Sequence, residues 1–185
     1  MNIISLDLAT KMGWATHSNG VIKHGTRNFS LGKMDAPGQR WEDFRKCILE
    51  LSRSFNTDCH AIYFEKVEAH GPGGAYTAQV YGGWIAHLQH WCMLNHIPMH
   101  SVGVKTVKKH WTGSGNANKD MMIAEAKMRG FNPEDDNAAD ALGILSFGLH
   151  EQGIITKFSK PAALPEKPKK SKKKTAIVIG DLLPF

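Results

Sequence analysis

Residues 2–31, NIISLDLATKMGWATHSNGVIKHGTRNFSL, decide the fold. The run NIISLDLA is β-type and apolar, and GWATHSNGVIKHGTRNFSL follows as two β-prone segments around a Ser-Asn-Gly turn. Three β segments with tight connections form an antiparallel meander. Asp7 is out of place in this pattern, because it lies inside an otherwise apolar first strand, where a lone acid costs free energy unless something pairs with it.

Beyond the meander, helix and strand patterns alternate. QRWEDFRKCILELSRSF has Trp41, Phe44, Ile48, Leu49 and Leu51 at helical spacing. CHAIYFEKVE is a short apolar run fit for a buried strand, and its core-like part ends at Glu65. Residues 75–95 read as a long helix rich in Trp, Tyr and His, and IPMHSV as a further strand. KTVKKHWTG is a short helix, NKDMMIAEAKMRG another that stops at Gly130, and FNPEDDNAADALGIL opens the last one. The order β-β-β-α-β-α-β-α-α-α predicts an α/β fold. Its mixed five-stranded sheet begins as a meander and continues through right-handed crossovers to parallel strands flanked by helices.

The last helix poses the same question as Asp7. Pro133, Glu134, Asp135 and Asp136 suit a first turn, where carboxylates meet free N–H groups. Asp140 lies beyond that turn in the small and apolar run AADALGILSFGL. It stands four residues after Asp136, on the same helix face one turn on. Two like charges at that spacing repel, so a positive group is expected between them.

Charge is segregated along the chain. Of 185 residues, 23 are Lys or Arg and 17 Asp or Glu, a net charge of +6. Eight of the lysines and only two acids fall in 157–185, so that segment carries the whole excess and residues 1–156 balance. Within the balanced part, residues 105–129 hold six basic residues against Asp120 and Glu125. Acid and base kept apart in this way suit a protein that handles a polyanion through a metal. Residues 1–156 are read as one folded domain and 157–185 as a Lys- and Pro-rich flexible tail with an apolar tip. No long apolar run or leader pattern is evident, and Cys47, Cys59 and Cys92 have no metal-type spacing. The expectation is a soluble cytoplasmic protein with free thiols and no membrane partner.

Neighbouring strands would bring Asp7 and Glu65 side by side, and a last helix over that sheet would add Asp136 and Asp140. Four carboxylates in one cleft do not all stay ionised without cations. Oxygen-only ligands favour Mg²⁺, with Mn²⁺ as substitute. Two such ions about 3.5–4 Å apart suit phosphodiester hydrolysis, activating a water and stabilising the leaving oxygen.

IISLDLATKMGWA, YFEKVEAH, VKKHWTGSGNANKDMM and DDNAADALGI together resemble, in order and spacing, the RuvC-type Holliday junction resolvases of the RNase H-like superfamily, especially phage-encoded members. The resemblance spans residues 1 to about 151. It implies an RNase H-like fold, a homodimer holding a four-way DNA junction, and paired Mg²⁺-dependent nicks in opposed strands. Asp7, Glu65 and Asp140 match metal-binding carboxylates of that family. The family's partner acid, three residues before the last, falls here on Asn137, so Asp136 is assigned the role and Asp135 is the alternative. Lys108 and Lys119 match family lysines near the DNA backbone, and GSGNANK makes a Gly-rich turn into a helix start fit to accept a phosphate. The aromatic that wedges the crossover in bacterial members is replaced by Glu68, with His70 or Tyr76 of AHGPGGAY as substitute DNA contacts.

Other signals yield to plainer explanations. His87, His90, Cys92 and His96 lack zinc-like spacing, and their helix is expected to pack Trp84, Trp91 and Leu94 in the core or at a dimer seam. DLATKMGWA is similar to a phosphate loop of sugar kinases and actin-like ATPases, but no second loop follows. The Lys-rich tail attracts DNA loosely by counterion release or simply solubilises. Its terminal DLLPF resembles the tip of bacterial single-stranded-DNA-binding proteins, which implies docking to that tip's receptors. Two rival functions stand beside the resolvase: another RNase H-like nuclease acting on RNA/DNA hybrids or flaps, and a non-catalytic junction-binding protein.

Overall fold

A computed structural model describes residues 1–55, 57–67, 74–154 and 158. The chain runs β1 (Ile3–Asp7), β2 (Lys11–Ser18), β3 (Val21–Asn28), α1 (Gln39–Arg53), β4 (Ala61–Lys66), α2 (Gly74–Leu94), β5 (Met99–Gly103), α3 (Val104–Thr112), α4 (Lys119–Met128) and α5 (Asp136–Glu151). The five strands form one sheet in the order β3-β2-β1-β4-β5. β1, β2 and β3 pair antiparallel, as the meander predicts, and β4 and β5 add in parallel. Asn19 and Gly20 turn the β2–β3 hairpin with positive φ at both positions, matching the twist of the strands.

Strand alternation fixes which side chains face which layer. Ile4 and Leu6 of β1 join Ile62 and Phe64 of β4 beneath α1 and α2, with Phe44, Ile48, Trp84 and Leu88. Ile3 of β1 and Ala61 and Tyr63 of β4 lie on the other face with Val107 and Trp111 of α3, Met122 of α4, and Leu142 and Leu145 of α5. Ser5 belongs to this second face, donating from Oγ to the Ala141 carbonyl at 2.8 Å. The same period of two continues to the strand ends, turning Asp7 and Glu65 toward α5.

Small residues let α5 lie almost on the sheet. A Cβ at Gly13 of β2 would stand 1.9 Å from the Asn137 carbonyl oxygen, and one at Gly148 would stand 2.7 Å from the Tyr63 ring. Ala138, Ala139, Ala141, Leu142, Ile144 and Leu145 are buried at this contact. Gly13 thereby seats the first turn of α5, which carries Asp136, against the strand beside Asp7.

The structure modifies three expectations. α5 begins at Asp136 rather than at Pro133, because the extended Asp135 caps it and Pro133 lies buried ahead of the cap. Leu94 is 60% exposed, unlike Trp84 and Trp91, because the helix stripe that meets the core ends at Cys92. Leu49 likewise lies at the rim, while Cys47 fills the α1 core stripe. Tyr76 lies in the first turn of α2, as the helical reading of 75–95 expects.

Glu68, His70 and the tail beyond 158 lie outside the described residues. Phe158 packs against the domain: its ring meets Phe131 at 4.8 Å, and its carbonyl accepts from Arg129 at 2.6 Å. No helix among the described residues is long and apolar enough to cross a membrane.

Candidate metal centre and nucleic-acid face

β1 and β4 are parallel, with Leu6 opposite Phe64, so the next step along each strand places Asp7 beside Glu65. α5 crosses above them and brings in Asp140. Burial, followed by the charges of Glu65, Asp140, Asp136 and Asp135, raises the Asp7 carboxyl well above its ordinary range. Asp7 nevertheless keeps some accessible surface, as expected at the floor of an open cleft. Burial and then Asp140 push Glu65 up to about 7, with Lys108 opposing. Burial also pushes Asp140 up to about 6, against Lys108 and Lys119 and with help from Asp136. Each acid is thus raised chiefly by burial, with the charges of the other acids adding to it, which places these carboxylates in one electrostatic environment.

Asp140 Oδ1 is buried with no hydrogen-bond partner. A buried carboxylate oxygen left alone is costly, and a hard cation relieves that cost. The donor set of Asp7, Glu65, Asp136 and Asp140 is all oxygen and fits Mg²⁺ or Mn²⁺. Among the described residues no three acidic, His or Cys side chains are drawn together at ligand spacing. Asp136 is instead paired with Lys119 Nζ, and this contact raises the lysine's pKa.

The acidic run at the start of α5 divides by role. Asp135 is the N-cap: its Oδ1 accepts from Ala138 N–H at 2.9 Å and from Thr26 Oγ1 at 2.8 Å, and its Oδ2 pairs with Lys11 Nζ at 2.8 Å. Partial burial works to raise its pKa, but these three partners outweigh it and hold the carboxyl at about 2. Glu134 accepts from the Thr26 N–H at 2.5 Å. Glu134 and Asp135 therefore tie α5 to the hairpin, while Asp136 and Asp140 look toward the strand ends. Both oxygens of Asp135 are thus engaged within the fold.

The basic residues frame this acid. Lys108 of α3 acts on both Glu65 and Asp140. Lys119 opens α4, whose cap Asn118 accepts from Met121 N–H at 2.9 Å. Sequence reasoning missed Lys11, although a lysine four residues after Asp7 at the start of β2 was a visible signal. It also missed Tyr81, whose hydroxyl donates to the Glu65 carbonyl at 2.9 Å and accepts from Val67 N–H at 3.2 Å. Tyr81 so fixes the backbone on both sides of Lys66, and only the crossing of α2 over β4 reveals it.

Beside Asp7 a cleft of 320 Å³ opens between the β1–β2 loop and the first half of α2, with Tyr76 at its mouth. Tyr76 is 67% exposed. On the remote half of α2, His87 stacks on Trp41 at 5.3 Å and Cys92 is buried, consistent with a packing helix rather than a zinc site.

No family model and no curated protein sequence matches this chain. Solved structures do match. The Thermus thermophilus RuvC structure aligns at 18% identity over 87% of this chain and 99% of that one, with a TM-score of 0.62. T. thermophilus RuvC in complex with Holliday junction substrate aligns at 19% identity over the same shares, with a TM-score of 0.65. The yeast mitochondrial Holliday junction resolvase Ydc2 aligns at 14% identity over 82% of this chain and 79% of that one, with a TM-score of 0.54. Strand order, crossovers and these likenesses agree that the chain has the RNase H-like fold in its RuvC-type form.

Proposed function

We propose that this protein is a Holliday junction resolvase, a divalent-cation-dependent endonuclease that nicks opposed strands of four-way DNA junctions during recombination and repair. The observation that carries the reading is the set of half-buried carboxylates gathered at the ends of β1 and β4 and on α5. Asp7, Glu65 and Asp140 are each held above the normal carboxylate range, and Asp140 Oδ1 has no partner. A fold that bears such repulsion at the ends of its central strands has a use for it. The likeness to a RuvC captured with its junction supports DNA as the substrate.

Asp7, Glu65, Asp136 and Asp140 are the residues that would hold two Mg²⁺ ions. When bound, such ions activate water and stabilise the leaving oxygen of a phosphodiester. The chain's own groups do the rest. Lys119, now on Asp136, stands where it can turn to a backbone phosphate, and Lys108 offsets charge over Glu65 and Asp140. Tyr81 keeps the end of β4 in register so that Glu65 stays beside Asp7.

Two opposed nicks need two sites, so the reading includes a homodimer. Exposed Gly82, Ala86, Met93 and Leu94 on the outer side of α2 provide a face for a second copy. The division into a nuclease domain over 1–156 and a Lys-rich tail over 157–185 belongs to the same proposal, with the tail adding salt-dependent attraction to DNA. So do a phage origin and a place in the bacterial or infected-host cytoplasm.

The deciding experiment incubates the protein with an end-labelled mobile four-way junction, a linear duplex and an RNA/DNA hybrid, in Mg²⁺ and in EDTA. Symmetric nicks in the junction alone, lost in EDTA, are expected. Cleavage of the hybrid instead makes the protein a different RNase H-like nuclease, and binding without cleavage makes it an architectural one. Lys119→Ala is expected to lose rate and junction affinity together.

A further inference from the structure

The lysines assigned above reach the acids from one side. Lys108 and Lys119 belong to α3 and α4, which follow β5 at one edge of the sheet. A duplex held from that side alone would pivot about it, so the other edge, β3, is where a second hold is needed. β1 and β3 both pair antiparallel with β2, and the chain therefore leaves β3 at the same end of the sheet as Asp7. Register runs from Asp7 to Gly13 to Thr26, and two strand spacings put β3 about 10 Å from Asp7. Residues 29–38, the connection from β3 to α1, rise from that point.

Hydrogen bonds at both ends and across the middle hold this loop in shape. The Phe29 N–H donates to the Thr10 carbonyl at 2.7 Å, and Arg40 Nε donates to the Phe29 carbonyl at 3.3 Å. Asn28 Oδ1 accepts from the Ser30 N–H at 3.0 Å, and the Gln39 N–H donates to the Ala36 carbonyl at 2.9 Å. Phe29 is itself buried against Phe44 and Trp84. The loop is thus built onto the core, yet it carries Met34 with 96% of its surface exposed. Single exposed apolar residues are ordinary. No other large apolar side chain among the described residues exceeds 75%, however, and Met34 is presented by an ordered loop rather than along a helix or strand. The charged side chains of the loop are Lys33 and Asp35, and Asp35 Oδ2 is turned inward to accept from the Gly32 N–H at 2.7 Å. Lys33 is left as the outward charge.

An apolar side chain beside a cation on a rigid support has the chemistry of a minor-groove wedge. The apolar group enters a base step and partly unstacks it, while the cation takes an adjoining phosphate. Resting on the nuclease reading above, we infer that the β3–α1 loop grips the DNA arm flanking the nick, with Met34 inserted from the minor groove at one base step and Lys33 on a neighbouring phosphate. At about 3.4 Å per base pair, an offset of about 10 Å from Asp7 puts that step about three base pairs or more from the nick, within an arm rather than at the crossover.

The test places 2-aminopurine, whose fluorescence rises on unstacking, at successive positions outward from the crossover of a four-way junction bound to the full chain in Ca²⁺. A rise at one step within an arm is expected with the unaltered protein, kept by Met34→Leu and lost with Met34→Ala. The melting curve of Met34→Ala should match the parent's, because the side chain is almost wholly exposed. Lys33→Ala is expected to lower the slope of log affinity against log salt by about 0.9, the share of one phosphate contact. No rise within an arm, a rise that Met34→Ala retains, or an unchanged salt slope in Lys33→Ala overturns the proposal. Nicking in Mg²⁺ is read on the same junctions. A Met34-dependent rise without any nicking retains the loop contact and overturns the nuclease reading, and nicking without such a rise does the reverse.

Discussion

Two acids five residues apart at the start of α5, Asp135 and Asp140, are treated oppositely. At the hairpin corner, Asp135 has three partners and is held at about 2. Over the strand ends, Asp140 has a buried oxygen with none and is held at about 6. The first arrangement stabilises the fold, since each carboxylate oxygen is matched by a donor. The second works against it, since burial and like charge both favour the protonated form. A carboxylate retained under those conditions is suited to binding a cation rather than to holding the chain together.

The strongest break of this contrast is on activity. Asp7→Asn is expected to lower nicking by about a thousandfold or more, the scale of several kcal/mol of charge stabilisation, while junction binding in a gel shift persists. Normal cleavage by that variant would remove the cleft acids from the chemistry.

Next in size is Gly13→Ala. Its Cβ would meet the Asn137 carbonyl at 1.9 Å, so α5 must lift from β2 at a cost of about 1–3 kcal/mol. Urea unfolding should show the loss, and cleavage should fall with it because Asp136 and Asp140 move away from Asp7.

Glu65→Gln sharpens the comparison by moving stability the other way. Glu65 sits at about 7 when folded against an ordinary 4.5. The folded chain therefore holds an extra proton between those values, and stability falls as pH rises from 4.5 through 7. In EDTA at pH 8 the variant should melt about 3–8 °C higher than the parent, and below pH 4.5 the gain should vanish. An unchanged melting temperature at pH 8 would mean the cluster is not strained.

Asp135→Ala should do the opposite at a smaller scale, losing about 1 kcal/mol as a helix cap. The contribution of Asp135 is present above its ordinary 3.8 and is lost as pH falls through about 2, so parent and variant should converge in strong acid. Lys11→Met is the mildest change. Lys11 stays exposed, and a screened surface pair should leave the melting curve nearly unchanged.

Much of this contrast was legible in the chain. Period-two alternation from Ile3 to Asp7 and from Ala61 to Glu65 already assigns both acids to one face, and the i, i+4 spacing of Asp136 and Asp140 assigns those two to one helix side. Asp135 and Asp136 look alike in sequence, because adjacent acids at a helix start differ only in which one caps. The choice falls to Thr26 and Lys11 on strands more than a hundred residues earlier. The Tyr81 fastening and the cleft it walls were equally hidden, since a tyrosine in an aromatic-rich helix carries no mark of which backbone it will meet.

The sequence by itself determined the order of elements, the antiparallel start of the sheet, the segregation of charge and the identity of the acids that would be costly to bury. All of these depend on local periodicity and composition. Only the tertiary structure decided which of those acids are satisfied and which are left for a cation, and where a cleft opens beside them. Those outcomes depend on how closely α5 approaches the strands, a distance set by Gly13, Gly148 and the hairpin together, and on where α2 crosses the end of β4, held by Tyr81.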